Sequence, residues 1–336
     1  MKKLALILAA LCVGVAIYAF SSRPDAAQGT ILLRFAYASN SQPVKDAMAE
    51  FGRTLTERTG GRVQMLYFPE SQLGGERELI ELMQTGAVDI VKVSGGLLES
   101  FAPRYGVFSM PYLFDSEAHF YRAMETPAIT EPIYTSTRPL GFEALTYYDS
   151  GQRSFYTRDK PIRELADMKG LKIRVMQSQT AIRMVRLLGG APIAMANSET
   201  YSAIQQGILD GAENNEFAMT VARHAEVAKH YTYDVHTRVP DIVLINSKVL
   251  AKLPADVRQA VTEAAHASTV FEKTAWRRAI EAAQAECRER FGVQFHQVDI
   301  KAFQQAVAPL YEELKSKPEL YETYQQIRRV ADGAPA

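Results

Sequence analysis

The chain of 336 residues carries only two cysteines and one tryptophan. Cys12 falls in the N-terminal apolar run, so beyond residue 28 Cys287 stands alone and a disulfide framework is excluded. A chain of this length can build a core without one. An excess of one charge is also missing, with 38 Lys and Arg against 38 Asp and Glu. Removing Lys2, Lys3, Arg23 and Asp25 with the first 28 residues leaves 35 basic residues against 37 acidic, a net charge of −2. That balance excludes the footprint of a nucleic-acid binder and a polybasic membrane patch, and it points to a small partner. The six histidines show no metal spacing. His224 and His230 lie six apart, on different sides of a helix. With no nucleophile elbow, phosphate loop or paired catalytic acids either, neither a cofactor, a metal nor an enzyme is expected.

What is present begins with an export signal. Lys2 and Lys3 precede an apolar run of 17 residues, Leu4 to Phe20, and then Ser21-Ser-Arg-Pro-Asp-Ala-Ala-Gln28. Basic, apolar, then small and polar residues read as a signal peptide over 1–28, with a retained anchor as the alternative. Leu11 stands where a lipoprotein site needs a small residue, which argues against lipidation at Cys12.

The remainder is ordinary globular sequence, 47% hydrophobic and 23% charged. Leu33, Phe35 and Tyr37 alternate as in a strand, and Val44, Met48, Phe51 and Leu55 follow at helical spacing. Strand 62–68, helix 76–85 and strand 88–93 complete a run of βαβ units. A second cycle passes through 142–148, 154–157 and 171–175 to a helix at 180–188, a helix at 198–206 and a strand at 208–212. Gly95-Gly96 and Gly189-Gly190 read as turns. From 255 to 291 the spacing predicts one helix about 55 Å long. Its apolar stripe passes through Val257, Val261, Ala264, Ser268, Phe271, Ala275, Ile280, Ala283, Cys287 and Phe291. Such a helix exceeds either α/β unit and should brace both, with Trp276 and Cys287 serving as packing.

Arg174 is the most informative residue. In Leu171-Lys-Ile-Arg-Val175 it sits inside a short apolar strand, on the face opposite Leu171, Ile173 and Val175. A guanidinium stays charged, and a sheet interior holds charge only with a partner. Either a protein acid or a ligand carboxylate supplies that partner. Asp149-Ser-Gly-Gln-Arg-Ser-Phe155 and Asp210-Gly-Ala-Glu-Asn-Asn215 favour the ligand.

Seven segments in order carry a resemblance over about 31–325. They are Pro69-Glu-Ser-Gln-Leu-Gly-Gly75, Leu82-Met-Gln-Thr-Gly-Ala-Val-Asp-Ile90, Pro111-Tyr-Leu-Phe114, Ala166-Asp-Met-Lys-Gly-Leu-Lys-Ile-Arg-Val175, Ser198-Glu-Thr-Tyr-Ser-Ala-Ile-Gln205, Asp210-Gly-Ala-Glu-Asn214 and Leu250-Ala-Lys-Leu-Pro254. The chain resembles the substrate-binding proteins of TRAP transporters, the DctP family. The resemblance implies a two-lobed α/β binding protein, each lobe a mostly parallel sheet flanked by helices, with a hinge cleft between them. Lobe I would comprise 29–151 and 240–278, lobe II 152–239 and 279–330, and 331–336 a tail. It implies no catalysis, a periplasmic location, a monomer (a swapped or helix-mediated dimer being the alternative) and delivery to the small and large TRAP membrane subunits. On this resemblance Arg174 makes the main salt bridge to the ligand carboxylate, Arg153 assists it, and Asn214 hydrogen-bonds the same region. Val93-Ser-Gly-Gly96 and Asn197 depart from sialic-acid-binding relatives. His236-Thr-Arg-Val-Pro-Asp241 and Asn214-Asn215 look more like receptors for sugar acids such as glucuronate or galacturonate. Another organic acid (C4-dicarboxylate, hydroxy or keto acid) and a ligand sensor for a signalling partner are the alternatives.

An arginine fork matches two carboxylate oxygens by charge-assisted hydrogen bonds, and sugar hydroxyls need both donors and acceptors. Asn40, Gln72, Glu76, Asn197, Asn215 and Asp241 are candidates by their loop positions at strand ends. Glu76 could instead favour a helix N-terminus, and Asn197 could be a cap. His236 is the only histidine near a predicted crossing segment and is a further candidate ligand contact. Tyr148 and Phe155 could stack on a pyranose, but core packing suits them better.

Overall fold

The computed structural model describes residues 30–38 and 41–332. The expected signal segment, Asn40 and residues 333–336 lie outside the described residues. Among the described residues eleven strands form two sheets. The first runs β2 (Val63–Phe68), β1 (Ile31–Tyr37), β3 (Ile90–Ser94), β10 (Asp241–Asn246), β4 (Phe142–Tyr148). The second runs β11 (Gln294–Gln297), β9 (His230–Thr237), β5 (Arg153–Thr157), β8 (Gly211–Asn214), β6 (Lys172–Val175), β7 (Ala191–Ala194). In the first sheet β1 pairs parallel with β2 and β3, while β10 runs antiparallel to β3 and β4. In the second, β6 lies parallel between β7 and β8, while β5 runs antiparallel to β8 and β9. The antiparallel pairings occur where the chain crosses between sheets, at 149–152 and again at 238–240.

The first sheet packs Leu33, Phe35 and Tyr37 on Val44, Met48, Phe51 and Leu55 of the helix Gln42–Arg58. Each large side chain buried there contributes about 1.5–3 kcal/mol. The long helix, Ala255–Glu289, does brace both sheets. Val257, Val261 and Ala264 join the core under the first sheet, and Cys287 joins Tyr156 and Tyr231 under the second. Midway its buried stripe departs from the expected register. Phe271 is exposed, and the inward positions are Thr269, Glu272 and Trp276. Glu272 turns inward because its Oε2 accepts the Asp149 backbone N–H at 3.0 Å, beside the crossing segment.

The two crossing segments are tied together by Asp149, fully buried, which accepts from Arg238 Nε at 3.1 Å and from the Gly151 N–H at 2.9 Å. Gly151 has φ +64°, and a Cβ there would meet the Trp276 ring at 3.1 Å, so glycine suits the position twice over. Two local readings need correction. The strand expected at 208–212 begins at Gly211 and ends at Asn214, after a turn that leaves Ile208 exposed. Gly95-Gly96 is not a turn but opens a helical turn, Gly95–Leu98, where the Gly95 N–H donates to Pro240 O at 2.8 Å. After the long helix, Ile300–Lys315 packs on the helix Gln179–Leu187, and Pro318–Arg329 packs on 103–109. Among the described residues no helix is long and apolar enough to cross a membrane.

Candidate functional site

A cleft of about 450 Å³ lies between the two sheets. Strand alternation sends Ile173 and Val175 of β6 into the core and turns Arg174 the other way, into this cleft. Arg174 is only 4% exposed, yet its hydrogen bonds go to a carbonyl and not to an acid. Nε and Nη2 donate to Met195 O at 3.0 and 2.9 Å. The carbonyl fixes the guanidinium plane and leaves Nη1 and the second Nη2 proton as an end-on fork. Burial lowers the pKa of Arg174, as expected of a cation short of counter-charge; Glu213 offsets part of that and Arg153 adds to it.

Arg153 is arranged differently. It makes a side-on pair with Glu213, Nε to Oε2 at 2.6 Å and Nη2 to Oε1 at 2.9 Å. Its Nη1 donates to Asn214 Oδ1 at 2.8 Å. The β5–β8 register sets Ser154 against Asn214 and Phe155 against Glu213, which brings these groups together. Arg153 is therefore neutralised inside the protein and acts on the cleft through Asn214. Asn214 Nδ2 in turn donates to Asn197 Oδ1 at 3.3 Å. Behind them His236 Nδ1 lies 2.7 Å from Asp234 Oδ2, and Nε2 lies 3.4 Å from Glu213 Oε2. Burial pushes the Glu213 carboxyl up, but Arg153 and His236 outweigh it and hold it at about 2. Burial likewise pulls His236 down, but Asp234 and Glu213 raise it to about 9.

The opposite wall belongs to the first sheet. Lys92, in the middle of β3, donates to Asp241 at the start of β10, and Glu76 Oε1 lies 3.9 Å away. Glu76 is the first residue of the helix Glu76–Thr85. Burial raises its pKa and Asp241 adds to the rise, while Lys92 pulls the other way. Burial would lower Lys92, but its two acids outweigh it.

Arg174, Arg153, Asn214, Glu76, Asn197, Asn215 and Asp241 all line the cleft. Asn215 also caps a short helix, accepting from Phe217 N at 3.0 Å, and its Nδ2 donates to Ser150 O at 2.8 Å. Gln72 does not reach the cleft; it is exposed on the turn before the helix Glu76–Thr85. His236 does not reach it either, because Asp234 and Glu213 hold it buried behind Arg153. Asn40 lies outside the described residues. Tyr148 and Phe155 are wholly buried, Phe155 with its ring 4.5 Å from that of His236. Trp276 packs edge-on against Phe217 at 4.7 Å and also lines the cleft.

Sequence reasoning missed Lys92 and Glu213. Lys92 carried the same signal as Arg174, a lone cation inside Ile90-Val-Lys-Val93. Glu213 stands beside Asn214 in Gly211-Ala-Glu-Asn214, where nothing local marks it as the partner of Arg153. His224, which has no metal spacing to another histidine, has a different place. It lines the cleft beside Tyr156, its Nδ1 2.7 Å from the phenol oxygen, and burial holds it down at about 3.

Comparison with known proteins places the chain in a family. Residues 35–317 match the family model of the bacterial extracellular solute-binding proteins, family 7, DctP. Protein YiiZ of Salmonella typhimurium is 54% identical over 300 residues, covering 89% of this chain and 92% of that one. A TRAP periplasmic solute-binding protein of Anaerococcus prevotii, solved with bound α/β-D-glucuronate, is 38% identical. It superposes with a TM-score of 0.88 over 91% of this chain and 100% of that one. A Bradyrhizobium relative in complex with α/β-D-galacturonate is 31% identical, with a TM-score of 0.86 over 89% of this chain and 100% of that one. The chain belongs to the DctP family, the solute-binding proteins of TRAP transporters.

Proposed function

We propose that this protein is a periplasmic receptor for a uronate, D-glucuronate or D-galacturonate, which it delivers to the small and large membrane subunits of a TRAP permease. The observation that carries the reading is Arg174, a buried guanidinium in the cleft whose hydrogen bonds go to a backbone carbonyl and not to an acid. Its fork suits one carboxylate, and dehydration in the cleft strengthens that pairing. Asn214, with Asn197 and the opposite wall, offers the donors and acceptors that ring hydroxyls need. The bound uronates of the solved relatives support the same class.

Closure would bring lobe I (29–151 and 240–278) over lobe II (152–239 and 279–330), with 149–152 and 238–240 as hinge. The protein acts as a monomer, is exported by the signal peptide 1–28, and performs no chemistry on its cargo. A thermal-shift panel of uronates, aldonates, C4-dicarboxylates and neutral sugars tests the reading. A uronate at 100 times its Kd adds about 2.7 kcal/mol to apparent stability. No shift with either uronate, beside a clear shift with another compound, refutes it.

A further inference from the structure

The wall facing Arg174 has a charge of its own. Lys92 is 3% exposed, its ammonium donates to Asp241, and Glu76 Oε1 stands 3.9 Å from it. One cation is thus shared between two acids. With Glu76 protonated the wall is neutral, and with Glu76 ionised it carries a net −1. In neither state does it offer an unmatched positive charge. On the other side Arg153 is neutralised by Glu213, whereas Arg174 has no acid partner; Arg77, which also lines the cleft, turns its guanidinium to Gln177 Oε1 at 3.2 Å, Ser100 Oγ at 2.8 Å and the Phe101 ring. Glu76 and Arg174 lie near enough across the cleft for each to feel the other's charge.

Resting on the uronate reading, we propose that Lys92, Asp241 and Glu76 form a charge filter. It accepts hydroxyl groups at the far end of a monocarboxylate and excludes acids that carry a second carboxylate there. A hydroxyl both donates and accepts, so it can accept from the Lys92 ammonium while donating to Asp241 or Glu76. A carboxylate only accepts. It would be stripped of water and set against Asp241 and Glu76, with the one nearby ammonium already engaged. Such like-charge juxtaposition is how a site rejects the wrong partner. Lys92 cannot be exchanged for an apolar residue without cost, because it keeps the two acids from repelling each other at the cleft floor.

Calorimetric titration with D-gluconate and D-glucarate isolates the filter, because these open-chain acids differ only in a terminal hydroxymethyl or carboxylate. D-Glucuronate is titrated beside them and replaces gluconate in the ratio where gluconate binds too weakly to measure. The expected result is that glucarate binds at least ~100-fold more weakly than the monoacid. Asp241→Asn frees the Lys92 ammonium and narrows that ratio at least ~tenfold. Glu76→Lys, at a partly exposed helix start, narrows it without touching the β-sheet. The ratio is read on folded protein, so a loss of stability in either variant does not enter it. Glucarate binding as tightly as the monoacid in the unmodified protein, or a ratio unchanged in both variants, overturns the filter. If neither uronate binds but another monoacid does, the uronate reading fails and the filter is judged on that acid against its dicarboxylate counterpart. A dicarboxylate as the tightest ligand overturns the filter in every case.

Discussion

Replacing Arg174 separates a ligand-binding guanidinium from a structural one. The free edge of its fork, Nη1 with the second Nη2 proton, can make two charge-assisted hydrogen bonds of about 1.5–3 kcal/mol each. Loss of both in a site only 4% exposed, with the ligand's carboxylate left buried and unpaired, puts Arg174→Ala at about 3–5 kcal/mol. That is a loss of affinity of roughly two to three and a half orders of magnitude. Arg174→Lys keeps a charge but cannot hold Met195 O and present a fork together, so it recovers only part. Unliganded stability should change far less, since removing the side chain loses its bonds to Met195 O but also removes a dehydrated cation with no acid beside it. Calorimetry with D-glucuronate gives the affinities, and urea denaturation without ligand gives the stabilities. Near-wild-type affinity in the alanine variant would refute the clamp. A stability loss as large as the affinity loss would show instead that Arg174 is there to hold the sheet.

Two further perturbations test the framework behind the site. His236 is raised from 6.5 to about 9, so its stabilisation is complete below about pH 6.5 and is lost as pH rises through 9. Glu213 is lowered from 4.5 to about 2, so its stabilisation is present above about pH 4.5 and is lost as pH falls through its folded value. This network therefore contributes most between about pH 4.5 and 6.5, and a melting series across pH should show His236→Gln flattening the alkaline limb. An unchanged alkaline limb in the variant would exclude His236 as its source. Gly211→Ala places a Cβ 2.1 Å from Tyr156 O in the neighbouring strand. Relief requires β8 to move from β5, at about 1–3 kcal/mol or more. Because β8 carries Asn214, uronate affinity should fall with urea stability; full affinity would show that Asn214 is placed independently of that strand pair.

Much of the architecture was readable locally because it follows from periodicity. The alternation of Leu33, Phe35 and Tyr37, the helix from Val44 to Leu55 and the 35-residue helix Ala255–Glu289 each rest on patterns a few residues long. Arg174 stood out for the same reason, as a lone charge in an apolar strand. The strand at 208–212 was misplaced because Ile208 and Leu209 resemble strand residues, whereas pairing with β5 starts only at Gly211.

The sequence alone determined the two α/β units, the bracing helix and the cation at the end of β6, since each is encoded by neighbours along the chain. Only the tertiary structure decided which charges are already spent. Lys92 meets Asp241 across 149 residues, and Arg153 meets Glu213 across 60. Neither pairing leaves a local trace, because strand register and sheet crossing bring these groups together. The same long-range pairing sends His236 behind the cleft and leaves Arg174, of Arg153 and Arg174, as the one without an acid partner at the cleft. Electrostatic neutrality is a property of the assembled cleft, and spacing along the chain does not carry it.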